Sequence, residues 1–182
     1  MGGGVGGSFP ITKPTYPLII AQFALEGHPR RTEHWNISAF LSTEEAQIFE
    51  LAGGIDSYTF LSSTVSLRAL ECRGGFLLCR LPSDKLPWLK DFLNTIHIVR
   101  GNTEFDCQTW VVTAVRKLQD EGYVPRDVTE NKIRKELDRE KERWEVAEDT
   151  LIERLIPTLP RPEITEVRLV CAGGDTDASK LL

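Results

Sequence analysis

Asn102-Thr103-Glu104-Phe105-Asp106-Cys107-Gln108-Thr109-Trp110-Val111-Val112-Thr113-Ala114-Val115-Arg116-Lys117-Leu118 puts one cysteine at the start of an apolar helix. Trp110, Val111, Ala114, Val115 and Leu118 recur at three and four, the spacing of a helix with one buried face. Asn102, Thr103 or Asp106 is available to cap its first turn. Cys107 then lies where free backbone N–H groups and the positive end of the helix dipole favour an anion, a setting in which a thiol ionises readily. A nucleophile of this kind needs a base, and the chain has only three histidines to offer: His28, His34 and His97.

The 182 residues suffice for one domain with a sizeable core. A net charge of −5, with no basic stripe interleaved with aromatics, argues against a general nucleic-acid binder. No apolar run approaches the roughly 20 residues a membrane helix needs, and Met1 to Gly7 lacks the regions of a signal peptide. A soluble, cytoplasmic protein is expected. The four cysteines, Cys72, Cys79, Cys107 and Cys171, form no C-x-x-C pair and have no histidine cluster nearby. Reduced thiols are therefore expected, with no metal site and no cofactor.

Outward from the cysteine helix, residues 1–15, with five glycines and two prolines, read as a flexible leader. Tyr16 to Leu25 reads as a buried strand with Gln22 hydrogen-bonded inside the sheet. His28 falls in the polar loop Glu26 to Thr32. In Glu33 to Leu41, Trp35, Ile37, Ala39 and Leu41 alternate with His34, Asn36 and Ser38, the period of a strand with unlike faces. Ala46 to Ala52, which contains Glu50, returns as the second strand of an antiparallel hairpin closed by Gly53-Gly54. Further strands are expected over Ser57 to Leu70 and Gly75 to Leu81, with a turn around Arg73-Gly74-Gly75. Cys72 and Cys79 read as packing or surface residues. A helix from Lys85 to Ile96 is capped by Ser83 or Asp84, and His97 follows between two isoleucines as a rival base.

Beyond Glu121-Gly122, a long polar helix is expected from about Val128 to Ile156, with apolar Ile133, Leu137, Trp144, Leu151, Ile152 and Leu155 and opposite charges four apart. Its charged middle offers a surface for a protein partner or for self-association. Pro157, Pro160 and Pro162 end it, and Val167 to Ala172 is a short strand-like piece before a polar tail. The chain thus divides into a leader at 1–15, a domain at 16–125, the charged helix at 126–160 and a tail at 161–182.

Glu33-His34-Trp35 opening a strand, Ile48-Phe49-Glu50-Leu51-Ala52 on the returning strand, and Asp106-Cys107-Gln108-Thr109-Trp110-Val111 opening a helix together resemble a known arrangement. It is the permuted papain-like thiol fold of the lecithin:retinol acyltransferases, their H-Rev relatives and NlpC-like proteins. The isopeptidases called PPPDE share its order of histidine then cysteine. The resemblance covers residues 16–122 in layout and about a dozen residues in motif. It implies an α+β fold, an antiparallel sheet packed against helices, here followed by the long C-terminal helix. It also implies Cys107 as nucleophile and His34 as general base. Glu50 stands where the acyltransferases carry a second histidine, and Gln108 where they carry glutamate. A carboxylate at that position can still orient an imidazole. The activity implied is a cysteine hydrolase or acyltransferase working on the amide, ester or thioester of a small-molecule, lipid or peptide substrate through an acyl-enzyme. The alternative is a non-catalytic protein-interaction module on the same fold.

Overall fold

The computed structural model describes residues 13–161 apart from Leu70. Five antiparallel strands form one sheet in the order β4-β3-β2-β1-β5: β1 Thr15–Ala24, β2 Glu33–Phe40, β3 Glu45–Ala52, β4 Thr59–Ser66 and β5 Cys72–Pro82. Four helices follow or flank them: α1 Leu86–Asn94, α2 Cys107–Asp120, α3 Glu130–Glu145 and α4 Leu151–Leu155. The chain is therefore α+β, as its patterning implies. Among the described residues no helix is long and apolar enough to cross a membrane. The strand-like piece at Val167 to Ala172, Cys171 and most of the leader lie outside the described residues. Thr15, assigned to the leader, begins β1 instead.

Alternation along β1 and β2 feeds two cores. Leu18 and Ile20 of β1 and Trp35, Ile37 and Ala39 of β2 join Trp110, Val111, Ala114, Val115 and Leu118 of α2 and Leu89 and Leu93 of α1 in the main cluster. The opposite face holds Ile19, Ala21, Phe40 and Ala46 against Ile152, Leu155 and Leu159. That second layer buries the polar face of β2 too: Ser38 and Asn36 are enclosed, the Ser38 hydroxyl donating to Asn36 Oδ1 at 2.9 Å. Gln22 is also buried, its amide donating to the carbonyls of Leu137 at 2.6 Å and Arg73 at 3.2 Å.

Three expectations need correction. The helix expected over 128–156 is two helices. α3 ends in a Schellman motif: the Glu148 N–H donates to Arg143 O at 2.8 Å and the Ala147 N–H to Trp144 O at 3.2 Å, with Ala147 at φ 56°. Glu153 then reaches back to the start of α4, its Oε2 accepting from the Thr150 N–H at 2.7 Å and the Thr150 hydroxyl at 3.1 Å, in the T-x-x-E pattern of a capping box. Ile133 and Leu137 of α3 belong to the main core. Secondly, Arg73-Gly74-Gly75 is no turn but part of β5, where Arg73 and Gly74 together oppose the single residue Gln22 as a bulge. Thirdly, neither Ser83 nor Asp84 caps the helix after β5; residues 83–85 form a 3-10 turn and Lys85 takes the cap position without a side-chain bond.

Candidate active site

β2 and β3 pair only from Ile37 opposite Phe49 to Phe40 opposite Ala46, although β2 runs back to Glu33 and β3 on to Ala52. The two strands have therefore parted at the end that carries His34 and Glu50. Into this end comes the start of α2, which packs on both strands. Gln108 fastens it: its Nε2 donates to Glu33 O at 2.9 Å, taking a carbonyl that β3 does not reach. Arg134 of α3 donates to Gln108 Oε1 at 2.8 Å and lies over the Trp35 ring at 4.9 Å. Gln108 thus acts as a tether.

Asp106 caps α2, its Oδ1 accepting from the Thr109 N–H at 2.9 Å and from the Thr109 hydroxyl at 3.0 Å. The other oxygen accepts from Arg31 Nε at 2.7 Å. The carboxyl is 1% exposed. Burial opposes its charge, but the Thr109 N–H and Arg31 prevail and hold its pKa below the usual carboxylate range. Arg31 also offsets a negative charge that would otherwise oppose a thiolate on the next residue. Among the described residues the N–H groups of Cys107 and Gln108, the first two of the helix, have no acceptor.

The three residues singled out by sequence come together. His34 Nε2 and Glu50 Oε2 are 2.9 Å apart, and both side chains are 20% exposed. The Cys107 sulfur lies near enough to the same imidazole to act on its charge. With Nε2 engaged by the carboxylate, Nδ1 is the nitrogen left for the sulfur. Burial of His34 works against its charged form, yet the nearby Cys107 sulfur and the bond to Glu50 outweigh it and raise its pKa from 6.5 to about 9. The remaining candidates stay apart. His28 Nδ1 accepts from the N–H groups of Arg30 and Arg31, which folds its own loop, and His97 is exposed in the coil after α1. Burial pushes the Cys72 and Cys79 thiols up to about 11, a setting for inert sulfur.

A histidine raised on folding stabilises the fold while protonated. That contribution is complete below about pH 6.5 and disappears as pH climbs through about 9. The interval corresponds to about 3 kcal/mol. Denaturant midpoints measured from pH 6 to pH 10 should fall for the parent chain and fall much less for His34→Gln; parallel curves would mean that the imidazole does not gain these partners on folding.

Sequence reading alone did not find Tyr58, Arg31 or the tether through Gln108. Tyr58 is buried, its ring edge-on to Phe105 with centroids 6.2 Å apart. Its hydroxyl pKa is raised by burial first, then by the charges of Cys107 and Asp106. Both rings line a cavity of about 400 Å³ together with Leu25, Pro29, Gly54 and Ile55; Cys107, His34 and Glu50 are not among its walls. Compared with family models, curated proteins and solved structures, the chain matches none.

Proposed function

We propose that the protein is a cysteine hydrolase or acyltransferase of papain-like design. The observation that carries this reading is one imidazole bonded to a carboxylate and placed near the sulfur at a helix N-terminus, three groups drawn from β2, β3 and α2. A protonated His34 beside the sulfur is the partner a thiolate needs.

In the proposed cycle the proton of the Cys107 thiol already rests on His34 Nδ1, and the thiolate attacks the carbonyl carbon of an amide, ester or thioester. The N–H groups of Cys107 and Gln108 face the developing oxyanion. Collapse breaks the bond to the leaving amine, alcohol or thiol, which takes the proton from His34, and leaves an acyl group on sulfur. Water or an acceptor then attacks that thioester, His34 removes its proton, and the thiol is restored. Glu50 holds the ring in position throughout, acting through His34 rather than on the substrate.

Intact-mass measurement after exposure to a panel of thioesters and activated esters tests the reading. The parent chain should gain one acyl group and Cys107→Ala none. A parent chain left unmodified from pH 5 to pH 9 would remove the enzyme from consideration. One observation favours the second reading, a non-catalytic interaction module: Cys107 is only 5% exposed. A sulfur inert to iodoacetamide in the folded chain decides for that module.

A further inference from the structure

We propose that the cavity bounded by Leu25, Ile55, Tyr58 and Phe105 receives a compact neutral apolar group, of aromatic or branched-chain size, attached to the carbonyl that Cys107 attacks. This rests on the thiol reading above and adds to it the chemistry of the substrate.

The position of the cavity follows from its walls. Phe105 is two residues before the cysteine in the chain, and the Tyr58 hydroxyl feels the charges of Cys107 and Asp106. A group seated between these rings therefore lies beside the start of α2. At about 400 Å³ the cavity falls within the roughly 300–1,000 Å³ of small-molecule sites.

The chemistry follows from what lines it. No lysine or arginine is among the lining residues, so a carboxylate or phosphate meets no cation there. Of the titratable residues, Glu26 is exposed and His28 Nδ1 accepts from the N–H groups of its own loop. Tyr58 and Phe105 are inclined at 67°, an edge-to-face pair that offers apolar surface to a third ring or a branched chain.

The walls are also held in place before any ligand arrives. Ile55 O accepts from the Gly101 N–H at 2.9 Å, and Tyr58 O accepts from Arg100 Nε at 2.8 Å. Arg30 bonds Thr103 O and pairs with Glu104 at 3.2 Å, which ties the β1–β2 loop to the segment before the cysteine. A preformed site loses little by ordering itself around a ligand.

Gly54 supplies the test. It lines the cavity, and a Cβ there would meet only Ser57 Oγ at 3.9 Å, so the backbone accepts a side chain at this position and Gly54→Phe adds bulk at the cavity wall. In the full chain carrying Cys107→Ala, phenylacetamide and isovaleramide should bind saturably and shift the ring protons of Tyr58 and Phe105. Succinamate and 4-aminobutyramide should not. Adding Gly54→Phe should weaken the two neutral amides at least tenfold. In the parent chain, phenylacetyl and isovaleryl thioesters should acylate Cys107 faster than the succinyl thioester, and Gly54→Phe should erase that preference while iodoacetamide alkylates Cys107 at an unchanged rate. Equal binding of the charged amides, or indifference to Gly54→Phe, overturns the cavity as the specificity site with the thiol reading intact. Binding of the neutral amides by a chain that none of the thioesters acylates overturns the thiol reading, and with it the claim that the cavity serves a carbonyl.

Discussion

His34→Gln is expected to slow acyl transfer to Cys107 by about 10²–10⁴-fold, the usual contribution of a positioned general base. Glutamine keeps much of the volume of the ring but cannot carry a proton between sulfur and leaving group. Rates of acylation by a phenylacetyl thioester, read by mass, would provide the comparison. Near-UV circular dichroism would check that Trp35 and Trp110, both buried in the core that meets this end of the sheet, keep their surroundings. Glu50→Gln should cost less, because an amide oxygen can still accept from Nε2. It carries a second signature. The Glu50 carboxylate helps hold the imidazolium, so its loss should move the alkaline limb of the rate profile to lower pH. A His34→Gln chain that is acylated as fast as the parent would leave the imidazole without a part in the chemistry.

The two halves of this site differ in how visible they were before folding. Cys107 at a helix start, with Asp106 as its cap, is written in local periodicity: apolar residues at three and four, and a capping side chain three residues before the N–H it accepts from. His34 and Glu50 follow from strand alternation and a short hairpin. What holds them has no period. Arg31 reaches Asp106, and Gln108 links Glu33 to Arg134, through contacts between residues remote in the chain. Tyr58 lay inside a stretch assigned simply as strand, and its carbonyl is held by Arg100, 42 residues further on.

The same division holds for the fold. Alternation in β1 and β2 and the stripe on α2 located their elements to within a residue or so, because each buries one or both faces against a packed layer. The end of α3 was not visible because the position that usually calls for glycine holds Ala147, in the left-handed region. The start of α4 was signalled by Thr150-Leu151-Ile152-Glu153, a capping pattern that the surrounding run of charges obscured. Glu140 completes the break. It accepts from the Leu151 N–H and from Arg154 at 3.0 Å, folding α4 back on α3.

Gly74→Ala is expected to destabilise the protein by about 3–5 kcal/mol, because two costs fall on one methyl group. The residue sits at φ 119°, where side chains are strained by about 1–3 kcal/mol. Its Cβ would also stand 2.5 Å from Glu140 Cβ and 3.2 Å from the Glu140 backbone carbon. Relief would require α3 to lift from β5, and overpacking of this kind costs about 1–3 kcal/mol more. The bulge at Arg73-Gly74 is also where Gln22 bonds both Arg73 and Leu137, so a shift of α3 strains a buried amide as well. For a domain of this size the melting temperature should drop by about 10 °C. Gly27→Ala serves as the control: φ is 71° but no atom lies within 4 Å of the added Cβ, so only the backbone term applies, about 1–2 kcal/mol. Equal losses from the two substitutions would mean that α3 is not pressed against β5 at this point, and that Gly74 is there for its backbone angle alone.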